Sequence, residues 1–241
     1  MTNLLNNPID IIKEINQDCD FTTKIKESKF IESSVSKNKN YNYNSLCQCI
    51  ISSSDPLYET IPNNEKKQYF KDIILNICTL IDENKQDNYL NYNLNTKIMK
   101  SKTIQYSMQL SIDNKNLLSS ILYLNEFYKK HFIILHGNKL YETSLKNYPK
   151  EYILYQNNKF SINHKNLDNF VKDDLKNIPI ENDIKKTNLI DIYNKYLESI
   201  SKYKIDDIQK IANDLNISLK NDKKNKTKQQ LYDEINLFKL N

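Results

Sequence analysis

The sequence predicts an α+β protein in which helices come first, a small antiparallel sheet follows and a helical hairpin domain closes the chain. Apolar residues over 64–86 and 117–130 recur at spacings of three and four, which is typical of helices that bury one face. From residue 131 onwards the apolar residues form short blocks separated by turn residues, which is typical of β-hairpins. Helices followed by hairpins favour an α+β domain over an alternating α/β one.

The helical half of this domain has three signals. The segment 44–54 is rich in apolar residues, and Asn63 or Asn64 can cap the helix that follows. The stretch 88–104 is polar and weakly patterned, so no element is predicted there. The apolar residues of the helix over 117–130 form one broad face, which makes it the second strong helical signal.

The sheet is predicted from two hairpins. His131–Leu135 is a compact apolar run suited to a strand, and a second strand is predicted over 140–143. Between them lies Gly137, the one glycine of the chain, and glycine takes positive φ without strain. The segments 152–155 and 159–162 predict the second hairpin, since only turn-forming polar residues separate them.

Four parts are predicted along the chain. Residues 1–43 form an N-terminal arm, and residues 44–170 form the α+β domain. A charged, proline-containing linker over 171–188 leads to a helical module over 189–241. The module is expected to begin with an amphipathic helix over 189–200, because its apolar residues again recur at helical spacing.

The composition limits the kinds of function that are possible. The 35 lysines and arginines are all lysines, and the formal net charge is +5. A lysine ammonium is a point charge that cannot make the bidentate fork with which arginine reads guanine, so nucleic-acid binding is expected to be directed at the backbone. A single glycine excludes a Gly-rich phosphate loop. The abundance of asparagine, lysine, isoleucine and tyrosine indicates an A/T-rich genome, such as that of a large DNA virus, some protists or some phages.

The spacing of the cysteines and the length of the apolar runs favour a reducing, intracellular compartment. The spacing of Cys47 and Cys49 suits neither a redox pair nor a zinc site, so free thiols in a reducing compartment are expected. His131 and His136 are five residues apart on a strand and face opposite sides, so no metal and no cofactor is predicted. The N-terminus has no charged-then-apolar pattern of the signal-peptide type, and no apolar run approaches the roughly 20 residues that span a bilayer. A soluble intracellular protein without a membrane partner is expected, in the host cytoplasm or the virion if it is viral.

The last forty residues suggest a partner. A helix over 203–217 is followed by a lysine-rich loop and by a second helix that opens at Thr227. The acidic-then-aliphatic pair Asp207-Ile208 and the spacing from Thr227 to Gln230 and Leu231 resemble the SAP-type nucleic-acid-binding module. That family has a loop glycine where this chain has asparagines, which tolerate left-handed geometry. The resemblance implies that the phosphate backbone of DNA or RNA is bound by Lys204, Lys220, Lys223, Lys224, Lys226, Thr227 and Lys228.

The order of segments in the central domain is similar to that of OTU-type cysteine peptidases. In that family an Asn-Cys-Leu segment places the nucleophile at a helix start, and a late strand carries the catalytic histidine before an aromatic residue. The resemblance places Ser45 at the nucleophile position and Lys159, before Phe160, at the base position. A serine without an adjacent base is a weak nucleophile, and a charged lysine cannot accept a proton. The resemblance therefore implies the fold without the chemistry.

Three functions follow from these patterns. The favoured hypothesis is a non-catalytic protein that grips nucleic acid through the C-terminal lysines, with the central domain as a scaffold that binds a protein partner. The first alternative is an active OTU-like cysteine peptidase of the deubiquitinase type, which uses Cys49 or Cys47 as the nucleophile and His164 as the base. The second alternative is a virion or assembly protein whose tail docks to a partner helix.

Overall fold

The computed structural model describes residues 42–162, 171–174, 178, 180–185, 188–221 and 224–240. Residues 40–241 form one compact unit, and all but the last two residues of the predicted arm lie outside the described residues. The helices and strands of the described part confirm the α+β class. The helices are α1 (Leu46–Ser54), α2 (Lys66–Glu83), α3 (Lys85–Tyr92), α4 (Ser101–Ser111), α5 (Leu118–Tyr128), α6 (Leu189–Ile192), α7 (Ile205–Asp214) and α8 (Lys228–Phe238). The strands are β1 (His131–His136), β2 (Lys139–Glu142), β3 (Lys150–Gln156), β4 (Lys159–Ile162), β5 (Val171–Lys172), β6 (Lys220–Asn221) and β7 (Lys224–Asn225).

The two strongest helical patterns are confirmed as α2 and α5, and α5 lies at the centre of the core. Every residue from Leu118 to Glu126 is buried, as expected for a helix surrounded by other elements. The helix ends at Tyr128, and its C-cap residue Lys129 takes a left-handed φ of 52°. None of the described helices combines the length and the apolar composition needed to cross a bilayer.

The five-stranded sheet is mixed, not antiparallel throughout. Both predicted hairpins are present, and Gly137 takes a φ of 62° in the first turn, as expected. The strand order is β4-β3-β1-β2-β5. Because β2 ends beside the start of β1, the loop over 143–149 can pass that end of β1 and begin β3 on its other side. This places β3 parallel to β1, with His131 paired to Lys150.

The predicted linker over 171–188 is part of the α+β domain where the structure describes it. Val171 and Lys172 form β5 at the edge of the sheet, parallel to β2. Asp183 accepts a hydrogen bond from the backbone amide of Ser119 at 3.0 Å and a second from its hydroxyl. Since Ser119 lies in the first turn of α5, this carboxylate satisfies an amide that has no partner within the helix. Ile184 is buried in the same core.

The long helix predicted over 189–200 is wrong. Helix α6 ends at Ile192, and Tyr193 is extended because it forms a β-bridge with Leu94. The amide of Asn95 donates to the carbonyl of Ile192 at 2.8 Å, and that of Asn194 donates to Asn93 at 2.8 Å. These tertiary hydrogen bonds override the local helical periodicity. Ile192 and Tyr193 consequently belong to the core of the α+β domain, and a second core begins at Leu197.

Two buried polar side chains of α5 hold the domain together. The amide of Asn125 is fully buried and makes four hydrogen bonds, to the backbone of Ile121 and Phe132 and to the backbone and hydroxyl of Thr143. The carboxylate of Glu126 is fully buried as well, and it accepts from three groups of other segments. Buried polar groups are retained where each has a partner, and here the partners join α5 to the sheet and to the segment after α6.

Candidate functional site

The C-terminal module has its own apolar core and an exposed β-ribbon between its two helices. Helix α7 leads into strands β6 and β7, and α8 follows. Because the sequence predicts only a lysine-rich loop here, the ribbon is an addition to the expected helix–loop–helix. The core of the module consists of Leu197, Ile208, Ala212, Leu231, Tyr232 and Ile235.

The register of the ribbon separates its two described lysines. Lys220 pairs with Asn225, and Asn221 pairs with Lys224. Residues opposite each other share a face and consecutive residues alternate, so the two lysines project from opposite faces. All four residues are exposed, and Lys223 lies outside the described residues. Through its described residues, the ribbon therefore presents one ammonium group on each side.

Asn221 and Asn225 in the ribbon do not take the positive φ that a glycine in a loop would supply. Positive φ in this region falls on Asn216, at 58°, immediately after α7. Asn221 and Asn225 are paired strand residues. Neither asparagine therefore takes the left-handed geometry expected of it.

Lys226 is part of the interior of the module and not of its surface. Its side chain is 7% exposed, and its Nζ lies 2.6 Å from Oε2 of Glu234 on α8. Its backbone amide donates to the carbonyl of Leu219 at 2.9 Å, which closes the base of the ribbon. An ammonium group held by a carboxylate is not free to pair with phosphate. The expectation that Lys226 binds nucleic acid is therefore corrected to a structural role.

Helix α8 begins with a complete capping box. The hydroxyl of Thr227 accepts from the amide of Gln230 at 3.2 Å, and the side-chain oxygen of Gln230 accepts from the amide of Thr227 at 2.8 Å. This confirms the expected capping by Thr227. The first-turn amides of Lys228 and Gln229 remain at the positive end of the helix dipole, directly after the ribbon.

Lys204 lies apart from the other candidate lysines. It is the N-cap residue of α7, and its amide donates to the carboxylate of Asp207 at 2.8 Å. The ten residues of α7 place it about 15 Å along the helix axis from the end that leads into the ribbon. With Asp206 and Asp207 beside it, Lys204 is exposed in a locally acidic environment.

The segments that carry the two peptidase-like positions lie side by side, but the positions themselves have no catalytic geometry. Tyr43 and Phe160 exchange two backbone hydrogen bonds of 2.7 Å, so the segment that precedes α1 runs beside β4. The hydroxyl of Ser45 is fully buried and accepts from the amide of Gln48 at 3.3 Å as the cap of α1. Lys159 is exposed at the first position of β4. Among the described residues, neither has a hydrogen-bonded base that would activate a nucleophile.

The cysteines on α1 are core residues. Cys47 is fully buried, its Sγ donates to Oγ of Ser120 at 3.3 Å, and burial raises the pKa of its thiol to about 11. Cys49 is also fully buried, and burial raises its pKa further above the ordinary range. Both thiols stay protonated at neutral pH, although a helix start favours thiolate. The candidate base His164 lies outside the described residues.

Comparisons with known proteins add no assignment. Neither the protein-family models, nor the curated proteins, nor the solved structures contain a significant match to this chain. Over the described residues there is also no group of three or more histidine, cysteine, aspartate or glutamate side chains placed to hold a metal ion.

Proposed function

We propose that the C-terminal module grips the phosphate backbone of nucleic acid, with the ribbon and the start of α8 as its contact surface. The observation that carries this proposal is the register that places Lys220 and Lys224 on opposite faces of an exposed ribbon. Five lysines and one aspartate occur over 220–228, so this segment is strongly positive even with Lys226 paired to Glu234. Lysines without arginine favour contact with phosphates over contact with base edges.

The two-sided arrangement favours a duplex over a single strand. The grooves of a duplex have a phosphate strand on each side, and a two-stranded ribbon is narrow enough to enter the major groove. A ribbon with one ammonium group per face can reach both strands from this position. On a single strand, only one face of the ribbon meets phosphate at a time. We therefore expect tighter binding of duplex than of single-stranded DNA of the same length.

The central test compares two triple variants that change the net charge equally. The first replaces Lys220, Lys224 and Lys228 by glutamine. The control replaces the exposed lysines on α2, α3 and α4 by glutamine, and these are Lys67, Lys85 and Lys102. Fluorescence anisotropy with a labelled duplex, repeated over a series of salt concentrations, gives the affinity and its salt dependence for each protein.

The expected outcome follows from counterion release. Each lysine that contacts phosphate contributes about 0.9 to the slope of log affinity against log salt concentration. With four lysines in contact, Lys223 included, the unaltered protein should show a slope of about −3 to −4. The ribbon variant should lose about 2 to 3 of this slope, and the control variant should keep it. Equal loss in both variants, or an affinity that does not depend on salt, contradicts the proposal.

We propose further that the central domain is a scaffold and not a peptidase. The buried, protonated thiols of Cys47 and Cys49 and the capping role of Ser45 support this proposal. A ubiquitin-based probe that traps active-site cysteines tests it. No labelling of the native protein is expected. Labelling that is abolished by Cys49→Ala or Cys47→Ala would instead establish the peptidase alternative.

A further inference from the structure

A polar cleft opens beside the loop that joins β2 to β3. It has a volume of about 410 Å³, which lies within the range of sites for small molecules. It is located where β1 and β3 begin, since His131 and Lys150 start these strands and are direct neighbours in the sheet. Its polar lining includes His131, Glu142, Ser144, Lys146, Asn147 and Lys150. None of these residues belongs to the C-terminal module.

The imidazole of His131 is buried with one ring nitrogen unsatisfied by the residues that the structure describes. The residue is 4% exposed, and no described group makes a hydrogen bond with its Nε2. Burial lowers the pKa of His131, so the ring is neutral at physiological pH. A buried polar atom without a partner costs about 1–3 kcal/mol, and such atoms are uncommon in folded proteins. A ligand that completes this hydrogen bond removes the cost.

Among the described charges around the cleft, one cation has no ion-pair partner. Lys146 is held by the buried carboxylate of Glu126 at 2.7 Å, and Glu142 is paired with Lys172. Lys150 is exposed, and within the described part of the chain no carboxylate lies within ion-pairing distance of it. Its position opposite His131 on the same face of the sheet places an uncompensated ammonium group next to the unsatisfied imidazole.

We propose that this cleft binds the anionic group of a small molecule, a carboxylate or a phosphate. The ammonium group of Lys150 pairs with the anion, and the neutral ring of His131, in the tautomer protonated at Nε2, donates one hydrogen bond to it. Ser144 does not take part directly. The hydroxyl of Tyr193 donates a hydrogen bond to Glu126, so Tyr193 can only accept from Ser144. The hydroxyl hydrogen of Ser144 is therefore engaged and does not point to the anion.

Nuclear magnetic resonance of the histidine ring nitrogens tests this site in the full-length protein. The protein is titrated at neutral pH with sodium phosphate, and separately with sodium acetate, against sodium chloride at matched ionic strength. We expect a saturable shift of the His131 nitrogens with phosphate or acetate and no such shift for the exposed His136. The anion that saturates at the lower concentration identifies the ligand class.

Substitutions separate this site from the ribbon. Lys150→Gln should weaken anion binding at His131 by about tenfold or more, because a charge-assisted contact is lost. Lys159→Gln, which removes an exposed lysine from β4, should leave it unchanged. The ribbon variant should also leave it unchanged, so the two proposals can fail separately. If the shift at His131 never saturates, or equals the shift seen with sodium chloride, the cleft holds only solvent. Either result overturns the inference. Undiminished binding in Lys150→Gln overturns it as well.

Discussion

The buried ion pair between Glu126 and Lys146 provides the sharpest prediction of stability. The carboxylate of Glu126 is fully buried, and it accepts from Lys146 at 2.7 Å, from Tyr148 at 2.9 Å and from Tyr193 at 2.8 Å. Nζ of Lys146 also donates to the carbonyl of Tyr92 at 2.7 Å. We consider the substitution Lys146→Met, which keeps most of the side-chain volume and removes the charge.

The expected cost follows from the burial of the remaining partner. With Lys146 replaced, Glu126 stays in the core with two hydroxyl donors and no cation. Removing one partner of a buried pair typically costs about 3–5 kcal/mol, because the other charge is left uncompensated. For a domain of this size that change lowers the urea midpoint by about 1–2 M. The chain has no tryptophan, so unfolding is followed by far-ultraviolet circular dichroism.

Two further variants decide whether the charge is responsible. The double variant Glu126→Gln with Lys146→Met has no unpaired charge. Its loss in free energy of unfolding should be smaller than the sum of the losses in the two single variants by about 1–3 kcal/mol. Lys202→Met breaks an exposed pair with Glu198 at 2.7 Å and should leave the midpoint unchanged. A loss below about 1 kcal/mol for Lys146→Met, or additive costs in the double variant, would refute this account.

Three other outcomes are expected. Asn125→Ala should lower the free energy of unfolding by about 3 kcal/mol, measured by urea titration, because it leaves several buried backbone groups unpaired. In a Cys19→Ser background, alkylation of Cys47 and Cys49 at pH 8 should be at least about a hundredfold slower in the native protein than in urea, since their raised pKa values suppress the thiolate. Equal rates would place these thiols at the surface. Burial lowers the pKa of His131 in the folded state. As the pH falls, the unfolded chain therefore protonates this histidine before the folded protein does, and the free energy of unfolding should decrease at pH values below about 6.5. His131→Gln should reduce this loss in urea titrations across that range, and an unchanged slope would contradict it.

The features of the fold that the sequence predicts correctly are those with strong local patterns. Helices α2 and α5 and the two hairpins combine clear apolar periodicity with turn residues, and all of them are present. Helix α4 was not predicted, because its buried face is built partly from Ser101, Ser107 and Ser111. Serine carries no apolar signal, so a helix that buries it resembles a polar segment in the sequence. Its position depends on packing against α5 and α2, as in the hydrogen bonds from the amide of Ser120 to Ser107 and from the side chain of Gln105 to the carbonyl of Cys78.

The features that the sequence misses depend on distant partners. The helix expected over 189–200 has the right spacing, yet pairing with Leu94 interrupts it. The segment 171–188 reads as a charged linker, but Asp183 caps α5 across the domain. Spacing within one segment cannot reveal a contact with another segment that lies far along the chain. The unsatisfied nitrogen of His131 belongs to the same class, because its lack of a partner is visible only once the strands are assembled.

The lysines of the C-terminal module show why a run of charge is not yet a binding surface. The sequence presents Lys220, Lys224 and Lys226 as equivalent members of one loop. Folding assigns the first two to opposite faces of a ribbon and the third to an ion pair with Glu234. A single flat anion could then be touched by only one ribbon lysine, whereas a groove flanked by two phosphate strands could be touched by both. If the module binds nucleic acid, the preference for duplex over single strand is therefore a direct consequence of a two-residue register. A shift of that register by one residue in one strand would place both lysines on the same face and should remove the preference.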